Sequence, residues 1–151
     1  MNAQTLEDII NSAIESEVAA YQFYSAAAQK MTDPSAQALF SELAEEEKQH
    51  EETLANLDLS NMQSIPTYDL PDLGIAEEIE KPVLSIEMAF VDAIALAMKN
   101  EEEAMILYDL LSKCTDNPEQ QHLFQSLSAM EKGHKARLED IYKNAAYAQI
   151  W

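Results

Sequence analysis

Residues 40–54 read FSELAEEEKQHEETL, and residues 124–138 read FQSLSAMEKGHKARL. Each stretch holds a Glu-x-x-His unit, Glu47 with His50 and Glu131 with His134, and the two units lie 84 residues apart. The same offset carries Glu17 onto Glu101, Tyr24 onto Tyr108, Phe40 onto Phe124, Leu43 onto Leu127 and Asp33-Pro34 onto Asn117-Pro118. Glu17 precedes Glu47 by 30 residues, and Glu101 precedes Glu131 by the same 30. One Glu-x-x-His on a helix carries little information, because both residues are ordinary in helices. Two on a common offset, each with a partner Glu on another segment, make a repeated ligand set.

Steps of three and four put Phe40, Leu43, Glu47, His50, Leu54 and Leu57 on one helix face. Phe124, Leu127, Glu131, His134, Leu138 and Ile141 form a second such face. The first segment gives Ile10, Ile14, Glu17, Tyr21, Tyr24, Ala28 and Met31. The third gives Phe90, Ile94, Ala97, Glu101, Met105, Tyr108 and Leu111. All four seams are apolar at both ends and charged in the middle. An unpaired carboxylate in a core is very unfavourable. Four together repel one another or stay protonated. Two divalent cations carry the charge that neutralises four carboxylates, so Glu17, Glu47, His50, Glu101, Glu131 and His134 are the expected metal ligands. Glu45, Glu46, Glu51, Glu52, Glu102, Glu103 and Glu139 fall off the seams and are expected in solvent.

The chain has 151 residues, two glycines, five prolines and one cysteine. That length fits one domain, and the composition favours helix over sheet. A net charge of −19 excludes nucleic acid and anionic membranes as expected partners. No stretch is apolar enough to span a bilayer. The N-terminus shows no basic region followed by an apolar run. Cys114 alone cannot form an internal disulfide and fits a reducing cytoplasm. It is read as an inert thiol near a helix end, and His122, off the seam, as a surface residue. Gly133 inside the second unit is unusual for a helix interior, and close approach of a neighbouring helix is one explanation.

The pattern predicts two antiparallel hairpins, over 5–58 and 85–148. Thr5 caps the first helix, which runs to about Met31. Asp33 caps the second with Pro34 at its first position, and that helix reaches about Leu57. The third starts between Pro82 and Ser85 and ends near Lys113. Asn117 and Pro118 open the fourth, which runs to Tyr142 or beyond. Residues 59–84 carry Pro66, Pro71, Gly74 and Pro82 and are long for a loop, with room for a short helix at 75–80. A connector of that length can run down the bundle and start the third helix parallel to the second. The expected fold is all-α: one ferritin-like, up-down-down-up four-helix bundle over 1–151 with one long crossover between the second and third helices.

With these motifs the chain resembles the rubrerythrin-like branch of the ferritin-like di-iron carboxylate proteins, over nearly its whole length. The resemblance implies that Glu47 and Glu131 bridge two metals. Glu17 and Glu101 are then terminal ligands, and His50 and His134 cap one metal each. Tyr24 and Tyr108, seven residues after the terminal glutamates, would hydrogen-bond the ligand carboxylates, with Tyr21 a weaker candidate. Two departures stand out. Rubrerythrins proper carry a further carboxylate where this chain has Ala104, and its first-half equivalent is Ala20. The centre is therefore expected to be symmetric, with both histidines permanent ligands. The chain also lacks the four cysteines of an appended rubredoxin domain, so electrons must come from a separate protein.

Carboxylates and imidazoles without thiolate suit iron or manganese, and zinc can occupy such sites. Six protein groups leave coordination positions open for a small oxidant. The leading expectation is a cytoplasmic, homodimeric di-iron oxidoreductase that reduces hydrogen peroxide or dioxygen. A ferroxidase or iron-storage protein and a dimanganese catalase are alternatives, as is a metal-stabilised interaction protein without turnover.

Overall fold

The computed structural model describes residues 6–61 and 84–145. Four helices make up the fold: α1 (Leu6–Lys30), α2 (Pro34–Ala55), α3 (Phe90–Ser112) and α4 (Pro118–Ala145), with one 3₁₀ turn at Leu59–Asn61. Among the described residues there is no strand. The expected Thr5 cap, the interior of the crossover and the short helix at 75–80 lie outside the described residues.

Local chemistry sets the helix ends. Asp33 has extended backbone (φ −79°, ψ 125°), and its carboxylate accepts the Ala36 amide at 3.0 Å with Pro34 at the first helical position. Asn117 Oδ1 accepts the amides of Glu119 at 2.9 Å and Gln120 at 3.3 Å, opening α4 in the same way. These contacts satisfy amides that a helix start leaves without partners. The start of α3 differs from the sequence expectation. Ser85 Oγ accepts the Glu87 amide at 3.1 Å, and Ser85 O accepts the Met88 amide at 3.2 Å. This local turn competes with helix, and α3 begins only at Phe90, behind Ala89, which provides no side-chain cap.

Contacts across the bundle fix the topology. Tyr24 of α1 reaches Glu101 of α3, while Glu17, earlier on α1, meets Tyr108, later on α3. These two helices are therefore antiparallel, and Lys30 Nζ bonding Ile86 O at 2.9 Å agrees. On α2 and α4, His50 meets Glu131 and Glu47 meets His134, so that pair is antiparallel too. Short turns at 31–33 and 113–117 make each hairpin antiparallel. It follows that α2 and α3 run parallel, which is the ferritin-like up-down-down-up order.

The core is two apolar layers with a polar layer between them. One contains Phe23, Tyr24, Phe40, Leu43, Ile94 and Leu138. The other contains Ile10, Leu54, Tyr108, Leu111, Phe124 and Leu127. Each fully buried large side chain stabilises the fold by about 1.5–3 kcal/mol. The seams are wider than single heptad rows. Ile9, Ala13, Phe23, Ala27 and Ala93 are also buried, whereas Tyr21 and Ala28 are half-buried. A bundle helix contacts two neighbours and buries both flanks of its stripe. Beyond the second layer, Gln120 accepts from Thr115 Oγ1 at 2.7 Å and donates to Asp58 O at 2.8 Å, tying the chain after α2 to the start of α4.

Candidate metal centre

The polar layer is Glu17, Glu47, His50, Glu101, Glu131 and His134, and none exposes more than 3% of its surface. Each helix delivers its residues from the middle of its apolar stripe. His50 Nδ1 lies 2.7 Å from Glu131 Oε1 and 3.7 Å from both Glu17 Oε2 and Glu47 Oε1. His134 Nδ1 lies 2.7 Å from Glu47 Oε1, 3.6 Å from Glu101 Oε2 and 3.7 Å from Glu131 Oε2. The two imidazoles are nearly parallel, 14° apart with centroids at 5.8 Å. All six residues singled out from the sequence are thus brought together.

The layer falls into two quartets whose donor atoms lie within 4.8 Å of one another. Glu17, Glu47, His50 and Glu131 form one, and Glu47, Glu101, Glu131 and His134 the other. Glu47 and Glu131 belong to both. Seven donor atoms are buried without a well-directed hydrogen bond, and their near neighbours are only one another: Glu17 Oε2, Glu47 Oε1, Glu101 Oε2, both oxygens of Glu131, and Nδ1 of each histidine. Buried polar atoms are almost always satisfied, so seven unsatisfied atoms converging from four helices call for a ligand. Oxygen and imidazole donors in two sets of four fit a pair of divalent cations.

Titration in the metal-free protein makes the same demand. Burial, then proton sharing with Glu17, holds the Glu47 carboxyl well above the usual carboxylate range. Burial and the neighbouring Glu101 do the same to Glu131. Burial also pushes the Glu17 carboxyl up, but hydrogen bonds from Glu47, His50 and Tyr108 and the charge of His50 outweigh it, and its pKa is lowered. Burial works against a charged His134, yet Glu101, Glu131 and Glu47 together push its pKa far up. Without cations, protons must neutralise the layer.

Tyr24 Oη donates to Glu101 Oε1 at 2.6 Å, and Tyr108 Oη donates to Glu17 Oε1. Burial first, and then the adjacent carboxylate charges, raise both phenols well above their ordinary value, so each hydroxyl stays a donor at neutral pH. Tyr21 is half-buried, with Lys48 Nζ 5.0 Å from the centroid of its ring. His122 is exposed, as expected. Gly133 has open space where a side chain would begin, so close helix approach does not explain it. Cys114 is half-buried and donates to Leu110 O at 3.3 Å.

Two contacts escaped sequence reasoning. Glu46 is not a solvated bystander: its carboxylate lies 2.5 Å from His134 Nε2 and 3.6 Å from Arg137 Nη1. The 84-residue offset pairs Glu46 with Met130, and Met130 Sδ lies 3.4 Å from His50 Nε2. The symmetry expected of the centre therefore holds for the six inner residues and fails at the outer nitrogens of the two imidazoles. The offset was the available signal, since it matches a carboxylate with a thioether directly before the two inner glutamates.

A four-helix bundle with an inward-facing Glu/His layer defines a ferritin-like carboxylate protein. This chain belongs to the rubrerythrin family, whose model matches residues 1–58 and 72–148. It is similar in structure to a hypothetical protein from Pyrococcus furiosus, with 28% identity and a TM-score of 0.68 over 91% of this chain and 88% of that one. It is also similar to a Thermotoga maritima protein described as a putative ferritin-like diiron-carboxylate protein. There the TM-score is 0.73 at 20% identity, over 96% of this chain and 99% of the other. That second likeness bears on the fold alone. No curated protein matches the chain. Among the described residues, no helix is long and apolar enough to cross a membrane.

Proposed function

We propose that this chain is a di-iron carboxylate oxidoreductase that reduces hydrogen peroxide or dioxygen with electrons from a separate donor protein. The observation that carries this reading is the convergence of seven buried donor atoms without well-directed hydrogen bonds in two quartets that share Glu47 and Glu131. In this reading Glu47 and Glu131, which belong to both quartets, would serve both ions, Glu17 and Glu101 would serve one each, and each histidine would give its Nδ1. Reduction of one hydrogen peroxide to two waters consumes two electrons and two protons, and a pair of ferrous ions holds that number of electrons. The four carboxylates offset the cation charge. The hydroxyls of Tyr24 and Tyr108 hold Glu101 and Glu17 in one orientation, as outer hydrogen bonds do for ligands elsewhere. The apolar layers above and below shield the centre from bulk water and favour a small oxidant over a bulky substrate.

The test is a single turnover. Protein loaded with two ferrous ions per chain under argon is mixed with one equivalent of hydrogen peroxide and followed by absorbance. Rapid oxidation to the ferric state is expected. Protein that holds two irons yet stays ferrous in excess peroxide would sink the redox reading. Uptake and mineralisation of many irons per chain would assign iron storage instead.

A further inference from the structure

We infer that Glu46 and Met130 make the two metal positions unequal, so that the quartet containing His134 binds its ion first and more tightly than the quartet containing His50. The inference rests on the metal-centre reading above and goes beyond it, because the six inner residues alone would make the positions equivalent.

The two imidazoles differ at their outer nitrogens. Nε2 of His134 faces the Glu46 carboxylate at 2.5 Å, and Nε2 of His50 faces the Met130 thioether at 3.4 Å. A carboxylate and a thioether can only accept, so Nε2 keeps its hydrogen in both rings. Nδ1, which faces carboxylate oxygens at 2.7 Å in each half, is the nitrogen an ion takes once it displaces any proton held there, and the two rings are not supported alike. A carboxylate acceptor forms a charge-assisted bond, fixes the ring and draws on its proton, which strengthens the other nitrogen as a ligand. A thioether is a weak, neutral acceptor.

The supports differ as well. Glu46 keeps 21% of its side chain exposed and is braced by Arg137 Nη1 at 3.6 Å, and Arg137 also approaches Glu42 at 3.6 Å. The offset places Thr53 opposite Arg137, so the first half lacks the charged brace. Met130 is 36% exposed and uncharged. Arg137 offsets the net charge of Glu46, so it is the charge-assisted, braced hydrogen bond to Nε2 that favours the His134 position. Removal of an outer partner of a ligating histidine lowers metal affinity about 10- to 100-fold, and that is the preference expected here.

Repulsion between two cations would by itself make binding stepwise, so the readout must say which position fills first. The metal-free protein is labelled with ¹⁵N-histidine and titrated with Zn²⁺, and the imidazole nitrogens are followed by NMR. Its three histidines include the exposed His122 as an internal reference. At one equivalent, Nδ1 of His134 is expected to shift while that of His50 remains largely metal-free. In the exchanged variant, Glu46→Met with Met130→Glu, the order should reverse. Glu46→Gln, which keeps the shape and removes the charge, should shrink the preference about tenfold or more. Simultaneous shifts in the wild type, or an order unchanged by the exchange, would overturn the inference while leaving the metal centre standing. No response of either inner histidine to two equivalents would overturn the metal centre itself.

Discussion

Replacing Tyr108 by Phe isolates one hydroxyl. The ring is 1% exposed and its Oη donates to Glu17, itself 2% exposed. Phenylalanine keeps the ring volume, so no cavity opens and only the donor is lost. The variant is left with a buried carboxylate oxygen and no water to replace its partner. A hydrogen bond to a charged group is worth about 1.5–3 kcal/mol. For a domain of this size each kcal/mol moves the melting temperature by about 2–4 °C. The metal-free variant should therefore melt about 3–12 °C below wild type. In the loaded protein the same loss frees the orientation of a terminal carboxylate and should weaken metal binding about 10- to 100-fold. The assay is thermal melting with and without chelator, and then competition with a chromophoric chelator. A double-mutant cycle with Glu17→Gln should show a coupling of about 0.5–3 kcal/mol. Tyr142→Phe, at a site 37% exposed, is the control and should melt like wild type. If Tyr108→Phe also melts like wild type, the hydroxyl is not holding Glu17 and the reasoning fails.

Acidity should act in opposite directions on the metal-free and loaded forms. Glu47, Glu131 and His134 have raised pKa values in the folded metal-free protein. Their contributions are fully present below the unfolded values of 4.5 and 6.5 and are lost as pH rises through the folded values. Glu17 is lowered and opposes this only as pH falls through its own depressed value. Melting in EDTA should therefore drop from about pH 5 to pH 8, while the gain on adding Mn²⁺ should widen over the same range, because protons compete for the ligands. Parallel profiles in EDTA and Mn²⁺ would contradict this. At the turn before α2, Asp33→Ala removes the acceptor of the Ala36 amide and should cost about 1 kcal/mol, read as a small fall in denaturation midpoint at constant slope. Phe124→Ala, at a fully buried site, should cost about 3–5 kcal/mol, and a variant within about 1 kcal/mol of wild type in urea denaturation would contradict the layered core.

The six inner residues were legible because each breaks an apolar stripe, and a broken stripe shows in one sequence. Their repetition on a fixed offset then supplied the pairing. The hairpin turns were legible through Asp33-Pro34 and Asn117-Pro118. Glu46 was not, because residue-by-residue spacing assigns it to the flank of α2, next to Glu47 but about 100° around the helix. Only the position of α4 shows that this flank faces His134. The start of α3 was misplaced because Ser85 is as suitable for a turn as for a cap, and spacing along the chain does not distinguish the two. Phe23 and Ala27 escaped the core because a single stripe was assumed where the bundle buries two flanks.

The hydrogen bonds of the polar layer are reciprocal between hairpins. Tyr24 of the first holds Glu101 of the second, and Tyr108 of the second holds Glu17 of the first. Each histidine likewise faces an inner glutamate of the opposite hairpin. Neither quartet lacks a residue from α4: one needs Glu131, the other Glu131 and His134. A chain still emerging from the ribosome with only its first three helices can assemble neither quartet. Ion capture is thereby postponed until translation has passed residue 134, and the half-made protein has no complete site in which to trap redox-active metal.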